Sequence, residues 1–196
     1  YGSKSPEAVT RYSLEVARYL AARHIKMLVI ACNTSSALAL SEVRKRLPIP
    51  VLGVIEPGAR AACAATSSGS IGIIGTEATV ASGAYTRMVK KYLPSAKVAS
   101  AACPLFVPLV EEGWWAHPAT TEVARHYLAA LKKSNTDTLI LGCTHYPLLK
   151  ATLSLVMGPK VRLIDSAEET ARQTDESLTA HGLRKKGGRG ARSFVV

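Results

Sequence analysis

Six short apolar runs alternate with longer amphipathic stretches along the chain, and no other feature restricts its fold as much. The runs cover residues 26–31, 51–55, 70–74, 97–101, 138–141 and 161–164. Each is four to six residues long and ends at Gly, Pro, Ser or a cluster of hydrogen-bonding side chains, which reads as a buried strand. The stretches between them carry helix signals. Ser5-Pro6-Glu7 places a capping hydroxyl, a proline at the first helical position and a first-turn carboxylate before a helix reaching about Arg23. Further helices are expected from beyond Ser35 to Arg46, from Glu56-Pro57-Gly58 to the Ser67-Ser68-Gly69 turn, over 80–92, over 120–133 and from Pro147. Ser166-Ala167-Glu168-Glu169 is a capping box for a last helix reaching His181. Residues 104–113, with two prolines, read as a loop, and residues 193–196 as a further strand. Strands alternating with helices predict an α/β fold built on parallel sheets.

Composition narrows the function classes. The 196 residues are 47% hydrophobic and 20% charged, as in ordinary globular proteins. The apolar runs are far too short to span a membrane as helices. No basic segment followed by an apolar core opens the sequence, so a cytoplasmic location is expected. A net charge of +11 raises the question of nucleic acid. Arg184, Lys185, Lys186, Arg189 and Arg192 gather near the end, and the other basic residues read as solvated helix faces. No stacking aromatics are interleaved with them, which argues against nucleic-acid binding and for attraction of small anions. Gly187-Gly188-Arg189-Gly190 follows no strand and reads as a loop, not a phosphate cradle.

The chemistry points to cysteine. Cys32, Cys63, Cys103 and Cys143 form no C-x-x-C pair, and their spacing suits neither a zinc finger nor a ribbon. Cys63 among alanines and Cys103 before a proline read as packing residues. Cys32 and Cys143 stand apart. Met27-Leu28-Val29-Ile30-Ala31-Cys32-Asn33-Thr34 aligns without gaps to Thr138-Leu139-Ile140-Leu141-Gly142-Cys143-Thr144-His145. Each is an apolar strand, a small residue, a cysteine and then hydrogen-bonding side chains before a helix. That pattern sets each thiol at the carboxyl end of a parallel strand, where open α/β sheets bind ligands. A helix N-terminus beside each thiol is expected to lower its pKa. A single strand-end cysteine is ordinarily inert packing, whereas two in matched contexts fit two-base proton exchange. One base removes a proton from a carbon while its partner returns one to the opposite face, with neither metal nor cofactor required.

Four motifs carry a resemblance to a known family. Ala31-Cys32-Asn33-Thr34, Gly75-Thr76-Glu77-Ala78-Thr79, the segment from Cys103-Pro104-Leu105-Phe106 through Val110-Glu111-Glu112-Gly113, and Leu141-Gly142-Cys143-Thr144-His145-Tyr146-Pro147 are similar to the signatures of bacterial glutamate racemase, in the aspartate/glutamate racemase family. The resemblance implies two parallel-sheet α/β domains related by a pseudo-two-fold axis, with the active site between them. Residues 1–56 plus 166–196 would form the first domain and 57–165 the second. It implies that Cys32 and Cys143 are alternating acid and base, that His145 and Glu112 tune the thiol of Cys143, and that Tyr1, Gly2, Asn33, Thr34, Thr76, Thr79 and Thr144 bind glutamate. D-Glutamate for peptidoglycan is the implied product, and no cofactor is implied. The family also begins with a strand carrying Asp-Ser-Gly and continues beyond a segment that Phe194-Val195-Val196 resembles. The sequence is therefore expected to be incomplete at both ends and unstable or weakly active alone.

Other readings stay open at this stage. A relative acting on aspartate or a hydantoin, or a decarboxylase, would share the architecture. A redox-sensing binding protein of the same fold would pair Cys32 with Cys143 in a disulfide, and a metal held by Cys32, Cys143 and His145 is disfavoured by the C-x-H spacing. A homodimer is possible. Trp114-Trp115 would then cover the pocket or meet a subunit, against the plainer expectation of internal packing.

Overall fold

The structure, a computed structural model, describes residues 1–195. The chain opens with α1 (Pro6–Ala21), whose Ser5 Oγ accepts from the Ala8 amide as a cap. It continues through β1 (Leu28–Ile30), α2 (Asn33–Leu38), α3 (Leu40–Arg46), β2 (Val51–Gly53) and α4 (Ile55–Ala65). Next come β3 (Ser70–Gly75), α5 (Glu77–Ala81), α6 (Ala84–Tyr92), β4 (Lys97–Ala102) and α7 (Phe106–Glu111). The remainder is α8 (Pro118–Lys133), β5 (Thr138–Gly142), a 3-10 turn (Tyr146–Leu149), α9 (Lys150–Met157), β6 (Arg162–Asp165) and α10 (Ser166–Ala180).

These strands form two parallel sheets, as the alternation predicts. One is four-stranded in the order β4-β3-β5-β6, and the other pairs only β1 with β2. β3 and β5 are buried throughout, because helices cover both faces of their sheet. Side chains along a strand alternate between those faces. Ile74, Leu139 and Leu141 therefore join Phe106, Leu128 and Leu153 in one core layer. Ile71, Ile73 and Ile140 join Ala59, Tyr85 and Val89 in the other. The two-stranded sheet has a smaller core of Leu14, Ala17, Leu28, Ala39, Val43 and Val51.

Several elements depart from the sequence reading. The helix expected over 80–92 is broken by Gly83, which sits at φ +63° and separates α5 from α6. The expected loop at 104–113 contains α7. Pro108 is its third residue, where a backbone N–H would lack an intrahelical partner anyway. The last helix is capped by Asp165, whose carboxylate accepts from the Ala167 amide, one residue ahead of the expected box. The helix expected to end at Arg46 is divided at Ala39 into α2 and α3. Residues 193–195 form no strand, and Val196 of that expected run lies outside the described residues. Trp114 and Trp115 are not packed inside; both are nearly half exposed, and Trp114 stacks on His117. The expected domain boundary at 56/57 falls within α4, which packs against α6 and α10. No helix among the described residues is long and apolar enough to cross a membrane.

Candidate active site

The register of the larger sheet aligns its catalytic-looking edge. Gly75 pairs with Gly142, so Thr76 and Cys143 leave adjacent strands at the same level. The approach is close: a Cβ on Gly142 would lie 2.6 Å from the Ile74 carbonyl oxygen. On the smaller sheet β1 ends at Ile30 and Cys32 caps α2. Ser36 fixes that turn, because its Oγ donates to the Ile30 carbonyl at 2.8 Å and accepts from the Val54 amide at 3.3 Å. Each sheet thus delivers one cysteine from the carboxyl end of a strand.

Cys32 and Cys143 line the same cavity, of about 280 Å³. That is just below the roughly 300–1,000 Å³ typical of ligand pockets and suits a small metabolite. Tyr1, Gly2, Thr34, Thr76, Thr144 and His145, all among the expected site residues, line it. Ser3, Glu77, Pro104, Val107, Pro108 and Glu111 line it too and were not singled out beforehand. A larger, shallow depression of about 510 Å³ along α1 gathers Glu7, Arg11, Glu15 and Arg46 but no thiol.

Three hydroxyls form the floor between the sheets. Thr34, Thr76 and Thr79 close a triangle of hydrogen bonds at 3.0, 3.1 and 2.9 Å, and all three are buried. Thr79 completes the triangle from beneath without lining the cavity. Each hydroxyl can turn its proton, so the ring can redirect donors toward a carboxylate. Gly2 belongs to the same wall. A Cβ there would lie 2.5 Å from Thr76 Cγ2, and its carbonyl accepts from the Ala78 amide at 3.3 Å.

Asn33 is placed differently from the expectation. It is buried and does not line the cavity; its Oδ1 accepts from the Tyr85 hydroxyl at 2.7 Å.

The acidic side chain that meets His145 is Glu111. His145 Nδ1 lies 3.7 Å from Cys143 Sγ, and its Nε2 lies 3.2 Å from Glu111 Oε1. Glu112, expected with His145 to tune the Cys143 thiol, is exposed and does not line the cavity. Helical geometry explains the change: Val107 and Glu111 are four residues apart on α7 and share the cavity-facing side, and the next residue is turned about 100° away.

The thiol of Cys143 does not have the lowered pKa expected at a helix start. Burial, at 7% exposure, pushes it up, and the hydrogen bond from the His145 backbone only partly opposes this. The following helical element is a 3-10 turn of four residues, too short to supply much of a macrodipole. Cys143 therefore rests as a neutral thiol beside an imidazole. Among the described residues, no group of three or more His, Cys, Asp or Glu side chains is arranged to hold a metal ion.

Residues 2–174 match the model of the Asp/Glu/hydantoin racemase family. The chain belongs to that family. A glutamate racemase of Geobacter metallireducens is 56% identical over 178 residues, covering 91% of this chain and 66% of the relative. A glutamate racemase structure from Bacillus anthracis superposes with a TM-score of 0.90 at 41% identity, covering 93% of this chain and 69% of that one. A glutamate racemase from Francisella tularensis, solved with D-glutamate, gives a TM-score of 0.90 at 33% identity, covering 96% and 70%. The chain spans about two thirds of the length of these racemase-family relatives.

Proposed function

We propose that the protein interconverts L- and D-glutamate by moving the α-proton between Cys32 and Cys143, without a cofactor. The observation that carries this reading is the presence of both thiols on one small cavity, each delivered by a different sheet. The α-carbon sits between the sulfurs. The thiolate on one side removes the proton, and the thiol on the other returns one to the opposite face. Because the planar intermediate is protonated where it lies, it need not turn over.

His145 gives the Cys143 side a route for its proton. With Nε2–H donating to the Glu111 carboxylate, Nδ1 presents a lone pair to the thiol, and Glu111 stabilises the imidazolium formed. The threonine triangle is the best-placed group of donors for a substrate carboxylate. Glutamate is preferred over aspartate because the relatives named above are glutamate racemases at 33–56% identity. The division into residues 1–56 with 166–196 against 57–165 is part of this reading, with the cleft between the two lobes. So are a cytoplasmic setting and supply of D-glutamate to peptidoglycan synthesis.

The test is incubation of the full-length protein with L-glutamate in deuterated water. Deuterium should appear at Cα as optical rotation is lost, and glutamate should turn over faster than aspartate. Turnover of aspartate alone would redirect the assignment within the family. Absence of Cα exchange with either amino acid would remove the racemase reading.

A further inference from the structure

The cavity that holds the two thiols carries its charge unevenly. No Lys or Arg lines it among the described residues, and the side-chain donors it offers an anion are mainly the hydroxyls of Thr34, Thr76 and Thr144. Two carboxylates do line it, those of Glu77 and Glu111. Glu111 is engaged with His145 at 3.2 Å. Glu77 follows Thr76 directly in the first turn of α5, and its exposed side chain has no hydrogen bond or ion pair among the described residues. It also lines an adjoining depression of about 370 Å³, which shares Gly2 and Ser3 with the cavity. Glu77 thus stands on the rim where the two meet. Lys4 lines the depression but not the cavity, so it does not balance Glu77 within the cavity itself.

Hydroxyl donors select poorly among dicarboxylates, because they serve the carboxylates of an amino acid and of its amine-free counterpart alike. The two ligands differ in charge. Glutamate carries an ammonium on its α-carbon and is singly negative overall, whereas glutarate lacks that group and is doubly negative. A carboxylate on the rim acts with opposite sign on this difference: it attracts the ammonium and repels the uncompensated dianion. Direct contact is not required. Screening extends over about 10 Å at 0.1 M salt, and a cleft focuses the field of the charges that line it.

We propose that Glu77 is a specificity-determining residue for racemisation: its charge on the cavity rim selects amino dicarboxylates over dicarboxylates that lack the amine. This rests on the racemase reading above.

The experiment uses the full-length protein with the variants Glu77→Gln and Glu77→Asp, and glutarate as a competitive inhibitor of glutamate turnover. The ratio of glutarate Ki to glutamate KM measures the discrimination. Glu77→Gln should raise KM about threefold and lower Ki about threefold, so that the ratio falls about tenfold. Glu77→Asp keeps the charge and should hold the ratio within about threefold of the unmutated protein. The side chain is exposed and unbonded, so both variants should fold as the parent does. Salt gives a second measurement. Raising KCl from about 0.1 M to about 1 M shortens the screening distance to about 3 Å, so the gap between the unmutated protein and Glu77→Gln should close to about twofold. A side chain that merely supports the cavity wall would move KM and Ki in the same direction. That outcome overturns the proposal, as does a ratio in Glu77→Gln within about twofold of the parent, an equal fall in Glu77→Asp, or a gap indifferent to salt. Failure of glutarate to inhibit Glu77→Gln overturns it too, since removing the charge must open the hydroxyl donors to the dianion. An unmutated protein without racemase activity would sink the underlying reading, whereas an active one with an unaltered ratio in Glu77→Gln sinks this inference alone.

Discussion

Cys32 and Cys143 come from aligned sequence segments but occupy unlike surroundings. Cys143 follows a fully buried strand with a partner on each side, is 7% exposed, and has His145 and Glu111 behind it. Cys32 follows a three-residue strand with one partner, is partly exposed, and makes no side-chain hydrogen bond among the described residues. The symmetric exchange proposed for the two thiols would thus rest on an asymmetric support. Beyond the sheet that carries Cys143, His145 lies within 3.7 Å of its sulfur, while the smaller sheet presents a turn pinned by Ser36. The lesson is that similarity along the chain fixes where a thiol sits on a strand, while its chemistry is decided by neighbours that are distant in sequence.

The largest expected effect would erase the comparison. Cys32→Ala and Cys143→Ala should each lower racemisation by about a thousandfold or more, since loss of one base leaves one face of the carbon without a proton donor. Full-length variants assayed by polarimetry test this. Retention of near-normal rates by either one removes two-base exchange.

Next in size is the support behind Cys143. Glu111→Gln keeps the shape but removes the charge that steadies the imidazolium, so kcat should fall about ten- to hundredfold. Glu112→Gln should leave it within about twofold, because that side chain points to solvent. Reversed outcomes would restore Glu112 as the residue that tunes the Cys143 thiol and break the geometric assignment.

This pair of residues also marks how far the sequence could be read. The alternation of apolar runs was enough for parallel α/β sheets, because buried strands and amphipathic helices differ in period. It was enough for the placement of the two thiols too, since strand end plus cysteine is a local pattern. The choice between Glu111 and Glu112 turned on the phase of α7, and the two prolines nearby hid that helix altogether. Tyr85 was invisible for a different reason. Its partner Asn33 lies 52 positions away, and no local pattern reports a contact made only when two sheets meet. The raised pKa of Cys143 was missed because burial is a property of the packed core, whereas the helix-start argument considered only adjacent backbone.

A smaller effect should appear as an order of thiol reactivity in the free protein. Alkylation needs the thiolate and access to it. Cys32, partly exposed at the cavity, should react with iodoacetamide first. Cys143 should follow more slowly, by about tenfold at pH 8, and speed up as pH rises because burial holds its pKa above the ordinary thiol value. Cys103, fully buried and pushed up to about 12, should stay unmodified until the protein unfolds. Mass spectrometry of timed samples gives the order directly, and modification of Cys143 ahead of Cys32 would invert the proposed contrast.

The smallest expected effect on activity tests the foundation of the Cys143 sheet at its far end. Asp137, just before β5, accepts hydrogen bonds from Thr66 Oγ1 at 2.6 Å, the Ser67 amide at 2.9 Å and the Ser68 amide at 2.6 Å, tying the approach to β3 onto the start of β5. These bonds outweigh the opposing effect of burial and hold the carboxyl well below its usual range. A depressed folded-state pKa favours the ionised native form. Its stabilisation is therefore complete above the unfolded value of about 3.9 and is lost as pH falls below that toward the folded value. Asp137→Ala should cost about 2 kcal/mol near neutrality, with the deficit shrinking in acid. Because Asp137 sits at the amino ends of the strands and the thiols at the carboxyl ends, kcat at 25 °C should stay within about twofold. Urea titrations at pH 7 and pH 3 read the stability, and amide exchange reads its location: protection should drop in β3 and β5 while it changes little in β1 and β2. Equal loosening of both sheets would mean that they unfold as one unit, and the contrast between the two thiols would then be chemical only.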